Sequence, residues 1–402
     1  MYDGTTVGGR LRTLRRWRRM TLAQLAGQAG LSVSFLSMVE RGQRALDRRS
    51  HIAALAAALR VSETELVGGP HLSEDALQSE PHTKIPQIRA ALLTNTLTSP
   101  AVERARPLPV LVSEMSRIER SSHRLDEVGH LLPALIDELH VHACAPADEA
   151  AYRTALHTLI EAFHRATFAC KDLGYVDLAH IAAMRAEEVA EILDDPVGRG
   201  KAATLRIHTL PISSWQVRVV EAERAAEALE PHATDPLAIQ VLGMLSLAAA
   251  LSATVAHNLS RAEHWLGQAN DLAARVPDTP TENWGAFSAT NVAIWRIALA
   301  VERGEAGGAV LTMAKKVDES KFGARKGRHA AFLADVGRGL AREPRMRAEA
   351  VTWLRRAETI APHKIRNDTR VRETVAVLLE QARSLAGGRE LRGLAARMGV
   401  PH

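Results

Sequence analysis

The sequence is poor in aromatic residues and in cysteine, and each shortage excludes a class of protein. Aromatic residues make up 4% of the 402 residues, which argues against a β-sandwich or β-barrel because these folds draw on aromatic and β-branched residues. The two cysteines, Cys144 and Cys170, cannot build a disulfide framework and lack the spacing of a zinc motif. Alanine, leucine and arginine, which favour helices, are abundant instead. The composition therefore predicts an all-α protein.

Signals for secretion and for a membrane are also missing. The N-terminus has no apolar segment of the kind that a signal peptide needs, so we expect a cytoplasmic protein. One charge-free stretch, from Pro236 to Ser260, is long enough to span a membrane. It carries several polar side chains and no flanking cluster of positive charge, and a helix buried on all sides has the same composition. We therefore predict a buried helix here and no membrane partner.

Positive charge is concentrated at one end of the chain. Residues 1–70 contain eleven arginines and no lysine against five acidic residues, a net charge of +6, whereas the whole chain carries +5. The remaining residues are thus close to neutral. A compact basic domain on a neutral body indicates that this domain alone binds a polyanion.

Capping residues and glycines predict five short helices in this basic segment. Thr6, Thr21 and Ser32 can each cap a helix, and Gly30 and Gly42 can end two of them. The predicted helices cover residues 7–18, 22–29, 33–41, 52–59 and 63–67. Two short helices joined by Ala-Gly-Leu-Ser are typical of a helix-turn-helix.

The same segment resembles a known family over residues 6–67. The stretches MTLAQLAGQAGLSVSFLSMVERGQR (20–44) and HIAALAAALRVSETEL (51–66) are similar to the phage repressor/Cro class of helix-turn-helix proteins, the XRE family. The resemblance implies that the third helix enters the major groove of double-stranded DNA. It also implies an ion pair between Arg15 and Glu40, which would otherwise be two surface charges.

The resemblance assigns DNA contacts to two sets of residues. The candidates for contacts to base edges are Ser32, Val33, Ser34, Ser37 and Met38. The candidates for phosphate contacts are Arg41, Gln43, Arg44, Arg48 and Arg49. Four further arginines are either phosphate contacts or merely solvated charge: Arg10, Arg16, Arg18 and Arg19.

A linker and a repetitive region follow the basic domain. We assign residues 1–69 to the DNA-binding domain, 70–86 to an extended proline-containing linker, and 87–402 to a helical sensor and dimerisation domain. A spacing of small residues recurs at Ala179, Ala222, Ala262, Ala309 and Ala350, and it resembles the second helix of a tetratricopeptide (TPR) hairpin. The intervals of 40 to 47 residues exceed the TPR period, so an unrelated all-α bundle is the alternative.

One segment of the repetitive region stands out as a candidate ligand site. An asparagine inside a helix is unfavourable unless its amide has hydrogen-bond partners, and a peptide in the groove of a solenoid would supply them. The alternative is an asparagine satisfied within the core. The candidate ligand-binding residues are Trp284, Phe287, Thr290, Asn291 and Trp295.

The sequence shows no catalytic motif and gives no reason to expect a cofactor. His157, Glu161, His164 and His180 could together hold zinc, but their order is not that of a metalloprotease helix and chance clusters are expected among seventeen histidines. We therefore expect neither an enzyme nor a metal site.

The pattern as a whole resembles helix-turn-helix regulators with TPR repeats, and more loosely the peptide-responsive quorum-sensing regulators of bacteria. It predicts a homodimer that binds an inverted-repeat operator and whose body senses a peptide or small molecule. The alternative is a DNA-bound adaptor whose repeats recruit a protein partner without a small ligand.

Overall fold

A computed structural model describes residues 6–70, 76–120, 125–382 and 388–400. Within these ranges the chain forms helices and no β-strand, apart from a single bridge between Thr96 and Ser99. The prediction of an all-α fold is therefore confirmed. We call residues 6–70 the head, and the described residues from 76 onward the body.

The head consists of five helices, of which three start after the predicted caps Thr6, Thr21 and Ser32, whereas α4 has no side-chain cap and starts at Arg49, three residues before its predicted start. Thr6, Thr21, Ser32 and Ser62 each accept a hydrogen bond from a backbone N–H in the first turn that follows. The five helices are α1 (Val7–Trp17), α2 (Leu22–Ala29), α3 (Val33–Glu40), α4 (Arg49–Leu59) and α5 (Glu63–Val67).

Helices α2 and α3 form the predicted helix-turn-helix. They meet at 115°, and Gly30 ends α2 with a φ of 64°, a conformation that glycine adopts without strain. Gly8 lets α1 approach α3 closely, because a Cβ at this position would lie 2.2 Å from the carbonyl oxygen of Val39. Leucines, alanines, valines and one isoleucine, Ile52, fill the core between the helices. The head thus holds α3 in a fixed orientation.

The body contains the remaining helices of the described chain. They are α6 (Ala76–Thr83), α7 (Ile85–Thr94), α8 (Leu108–Arg120), α9 (Leu125–Cys144), α10 (Glu149–Asp172), α11 (Val176–Leu193), α12 (Pro196–Thr209), α13 (Trp215–Leu229), α14 (Pro236–Val255), α15 (Leu259–Ala273), α16 (Ala289–Arg303), α17 (Gly307–Ala314), α18 (Lys326–Ala341), α19 (Arg347–Ile360), α20 (Pro362–Asn367), α21 (Thr369–Ala382) and α22 (Arg389–Arg397).

The predicted linker is more ordered than its composition suggested. Helix α6 and the start of α7 occupy residues 76–86, so the prediction of an extended linker is wrong there. Helix α6 packs on α7 and α9, which outweighs the low helix propensity of Pro81 inside it. Residues 71–75 of the predicted linker lie outside the described residues, as do residues 1–5 of the predicted first domain and 401–402 of the last.

From α10 onward, neighbouring helices pair as hairpins that stack on one another. Helices α10, α12, α14, α16 and α18 are first helices, and each contacts the first helix of the next hairpin. The five alanine-rich segments of the sequence begin in the second helices, α11, α13, α15, α17 and α19. At the C-terminal end α20 returns to α10, where Lys364 Nζ lies 2.5 Å from Asp172 Oδ1. The first helices therefore surround a central groove.

The charge-free segment is a core helix of this stack. Helix α14 is long and apolar enough to cross a membrane, but its whole apolar stretch is buried inside the protein. It packs against α12, α13, α15 and α16. Burial on every side explains why it lacks a polar face.

Candidate nucleic-acid interface and body cavity

The outward end of α3 is accessible in the way that base contacts require. Ser32, Val33 and Ser34 are exposed at its N-terminus, whereas Ser37 and Met38 are partly buried. The Ser32 hydroxyl accepts the Phe35 N–H at 3.1 Å, which still leaves its own proton to donate. All five candidates for base contacts therefore retain some accessible surface.

Arg15 and Glu40 form an ion pair between α1 and α3, at the two positions that the resemblance indicated. Arg15 Nε and Nη2 donate to the two carboxylate oxygens at 2.6 and 2.8 Å, and both side chains are largely buried. The hydrogen bond from Glu40 raises the pKa of Arg15. A planar two-point contact of this kind fixes the orientation of α3 relative to α1.

The four further arginines of the sequence analysis divide into two that bind backbone carbonyl groups and two that are exposed. Arg10 donates to the carbonyl oxygens of Leu66 and Val67, and Arg18 donates to those of Leu59 and Arg60. These contacts satisfy carbonyl groups at the ends of α5 and α4. The remaining two, Arg16 and Arg19, are exposed.

The five candidates for phosphate contacts divide into two groups. Arg41, Gln43 and Arg44 are exposed beside α3, and the Arg44 guanidinium lies 5.3 Å from the centre of the Phe35 ring. Arg48 and Arg49 instead face the body. Arg48 Nε donates to the carbonyl oxygen of Glu302 at 2.8 Å.

Arg49 makes the closer contact with the body. Its backbone N–H and its Nη1 donate to the two carboxylate oxygens of Glu302, at 2.5 and 2.8 Å. Glu302 is 2% exposed. Burial opposes its ionisation, but Arg49 and Arg338 outweigh this effect and lower the pKa of Glu302. In this arrangement neither Arg48 nor Arg49 is free to contact phosphate.

Asp47 also binds the body, and here the head supplies the anion and the body supplies the cations. Its carboxylate accepts from Arg342 Nη2 at 2.9 Å, and its carbonyl oxygen accepts from Arg338 Nη2 at 2.5 Å. Burial opposes the ionisation of Asp47, but Arg342 and Arg338 outweigh it and lower the pKa of this carboxyl. Gln43 and Leu46 also contact the body, since the Gln43 carbonyl oxygen accepts from Gln381 and the Leu46 N–H donates to Glu373.

The head geometry agrees with the comparison to known proteins. Residues 6–67 match the family described as helix-turn-helix domain. The head is a helix-turn-helix domain. No curated protein and no solved structure matches the chain. The match supports a DNA-binding regulator with a helical body behind its helix-turn-helix domain.

A cavity of about 220 Å³ opens from the central groove of the body. Its wall comes from several first helices of the hairpins and from α20. A second cavity of about 460 Å³ shares part of the wall. The residues common to both are His164, Trp284, Gly285 and Arg325.

The structure brings two of the five predicted ligand residues into the cavity wall. Trp284 and Trp295 line it. Phe287, by contrast, is buried against Gly243, and Thr290 donates to the Asp278 carboxylate that caps α16 from outside. These two residues belong to the packing and capping of α16, not to the wall.

Asn291 has its partners inside the protein. It is fully buried, and its Oδ1 accepts from Arg328 Nε at 2.7 Å. The prediction that its amide meets a ligand directly is therefore corrected: Asn291 lies behind Arg328 and orients it. Arg328 itself lines the cavity, and no local pattern in the sequence distinguished it.

The fold brings together only some of the four residues that were considered as zinc ligands. Glu161 and His164 lie with Glu119 so that one ligand atom of each falls within 4.8 Å of the others. Glu161, however, accepts from Lys201 at 2.5 Å, and Glu119 faces Arg165 at 3.3 Å. These cations already neutralise the carboxylates. His180 lies apart, hydrogen-bonded to the hydroxyl of Thr209.

Proposed function

We propose that the protein is a cytoplasmic, non-enzymatic transcription regulator that binds an operator in double-stranded DNA through its head. The observation that carries the proposal is the exposed N-terminus of α3 beside Arg41 and Arg44, on a domain that matches a helix-turn-helix family. Side chains at this end of a recognition helix reach base edges, and flanking arginines hold phosphates.

The operator in this proposal is an inverted repeat bound by a homodimer. The three exposed residues at the end of α3, Ser32, Val33 and Ser34, can read only a few base pairs, so one head gives little discrimination. Two heads related by two-fold symmetry would read half-sites about 34 Å apart. Sedimentation of the full-length chain with and without DNA would measure the stoichiometry directly.

The body, in this proposal, is a TPR-like sensor that controls the head. Arg48 and Arg49 hold Glu302 in the docked arrangement and would have to leave it in order to reach phosphate. The docked and DNA-bound arrangements thus compete for the same side chains. A signal bound to the body changes DNA binding only through its difference in affinity for the two arrangements.

The cavity and the docking contact share two helices, which gives such a signal a physical route. Trp295 and Glu302 lie seven residues apart on α16, two turns or about 10 Å along one face. Arg328 lines the cavity and Arg338 holds Asp47, and both belong to α18. A small movement of α16 against α18 would therefore change both the cavity and the contact between head and body.

Selection of genomic DNA fragments by the purified full-length protein tests the proposal. We expect an enriched inverted repeat whose half-sites are separated by one helical turn. Broad, salt-sensitive binding with no enriched sequence would contradict operator recognition. It would favour the alternative in which the repeats recruit a protein partner on DNA without a small ligand.

A further inference from the structure

The central cavity is lined by a continuous series of aromatic rings. His164 lies 5.4 Å from Trp284 and 5.1 Å from Phe168, measured between ring centres. The series continues through His208, 6.0 Å from Phe168 and 6.2 Å from Trp295. In a protein with 4% aromatic residues, this concentration in one wall is notable. These tilted and edge-on rings contact one another and form a continuous apolar surface against which a planar apolar group can pack.

Charged side chains in the same wall leave an excess of positive charge. Asp172 is the acidic residue of the wall, and it is already bound by Lys364 at 2.5 Å. Arg165 and Arg325 share the carboxylate of Glu119, at 3.3 and 3.9 Å. The cavity therefore carries more cations than the nearby carboxylates can neutralise.

Arg328 is a cation of this wall that has no carboxylate partner among the described residues. Among the described residues it has no carboxylate within ion-pair distance; its Nε is used by Asn291 and its Nη2 has no hydrogen-bond partner. Its guanidinium lies 4.8 Å from the centre of the Trp295 ring, which fixes the group over an aromatic face. Burial lowers the pKa of Arg328 to about 10, so the group stays charged at neutral pH.

Donors without acceptors recur in the same wall. The indole Nε1 atoms of Trp284 and Trp295 are buried and, within the described part of the chain, have no hydrogen-bond partner. A buried donor left unpaired is costly, and anionic oxygens are the strongest acceptors available to it. Behind the wall, burial lowers the pKa of Lys171 to about 7, with Arg218 and Lys364 adding to the effect.

We infer that the cavity binds a small organic anion, a carboxylate or phosphate joined to a planar apolar group, with Arg328 holding the anionic end and Trp284 and Trp295 flanking the rings. This inference rests on the proposed function, for which it names the chemical class of the signal. A volume of about 220 Å³, beside a second cavity of about 460 Å³ that shares four wall residues, suits a small molecule. Asn291 acts as a positioning residue for Arg328.

Two fluorescent probes that differ by one charge test the inference. 8-Anilinonaphthalene-1-sulfonate and N-phenyl-1-naphthylamine share their rings, and only the first carries an anion. We expect the full-length protein, without DNA, to bind the sulfonate at one site and at least about tenfold more tightly than the neutral amine. Equal affinity for the two probes, or no saturable binding of the sulfonate, would overturn the inference.

Variants locate the binding site. Arg328→Met should remove the preference for the sulfonate and leave the affinity for the neutral probe unchanged, whereas Arg328→Lys should retain most of the preference. Arg296 is exposed on α16 and serves as the matched control, so Arg296→Met should change neither affinity. A loss of preference in Arg296→Met equal to that in Arg328→Met would place binding elsewhere and overturn the inference.

The affinities of the two probes are compared on the unmodified protein. This comparison tests the class of ligand even if Arg328→Met does not fold. It also needs no DNA. An enriched operator in the DNA selection together with equal binding of the two probes would contradict only the class of ligand. A clear preference for the sulfonate without an enriched operator would contradict only the DNA-binding function.

Discussion

Two groups of arginines lie within nine residues of one another at the end of α3 and just beyond it, and their surroundings differ. Arg41 and Arg44 are exposed. Arg48 and Arg49 reach into the body and bind Glu302. Since both groups have the residue type and position expected of phosphate contacts, the difference between them comes from the body. In the proposed function, the helices behind the head control how much of its basic surface is available to DNA.

Removal of the Glu302 carboxylate should have the largest effect on the contact between the head and the body. Glu302→Ala leaves Arg49 in the contact without its partner, which costs about 3–5 kcal/mol for a buried pair. We expect the head to leave the body, and energy transfer between dyes on Arg12→Cys and Glu263→Cys, both exposed positions, to change. Glu227→Ala removes an exposed carboxylate of α13 and should leave the energy transfer as it is. Unchanged transfer in Glu302→Ala would show that the pair does not hold the head.

A pH dependence of docking is the next expected effect. Glu373 Oε1 accepts the N–H of Leu46, and burial raises the pKa of Glu373 to about 7 from an ordinary value of 4.5. The docked state therefore favours the protonated acid: its contribution is complete below pH 4.5 and is lost as pH rises through about 7. Energy transfer between the same dyes should report increasing release over this range, and Glu373→Gln should flatten the curve. A release that grows as pH falls would contradict this assignment.

The Arg44→Ala variant tests phosphate binding separately from the contact between head and body. Arg44→Ala should weaken binding to every sequence and reduce the slope of log affinity against log salt by about 1, because one phosphate contact is lost. The energy transfer of the free protein should stay constant, since Arg44 is exposed. Arg49→Ala should instead change the energy transfer in the absence of DNA. An unaltered salt slope in Arg44→Ala would mean that Arg44 makes no phosphate contact.

Ser34 should give the smallest and most local effect. Ser34→Ala removes one hydroxyl from the exposed end of α3, and we expect a loss of about 1 kcal/mol at some operator positions and none at others. Affinities for a set of single-base operator variants measure this. A loss of equal size for every variant would argue against a position in the groove.

The sequence was most informative where the signals are local. The caps at Thr6, Thr21 and Ser32, with the glycine turn at Gly30, lie within a few residues of the helices that they begin or end. Helix boundaries in the head could therefore be predicted closely. The hairpins of the body were also visible, because small residues recur where paired helices touch.

Long-range partners were not visible in the sequence. Arg49 and Glu302 are 253 residues apart, and nothing near either residue indicates the other. For the same reason Arg328 was missed and Asn291 was taken for a ligand contact, although the two side chains satisfy each other from neighbouring helices. The aromatic pair Trp284 and Trp295 was found because both lie in one unusual segment of the chain.

The central claim is that the docked head binds DNA poorly, and a reversible lock tests it most directly. The backbone N–H of Ser213 in the body donates to the carboxylate of Glu63 in the head, and neither residue is a candidate DNA contact, so cysteines at Glu63 and Ser213, in a Cys144→Ser background, can be joined by a reducible bismaleimide. DNA affinity is then measured on one preparation before and after the bridge is reduced, and both states carry the same substitutions. The account predicts weak binding while the head is locked and recovery after reduction. Equal affinity in the two states would contradict it.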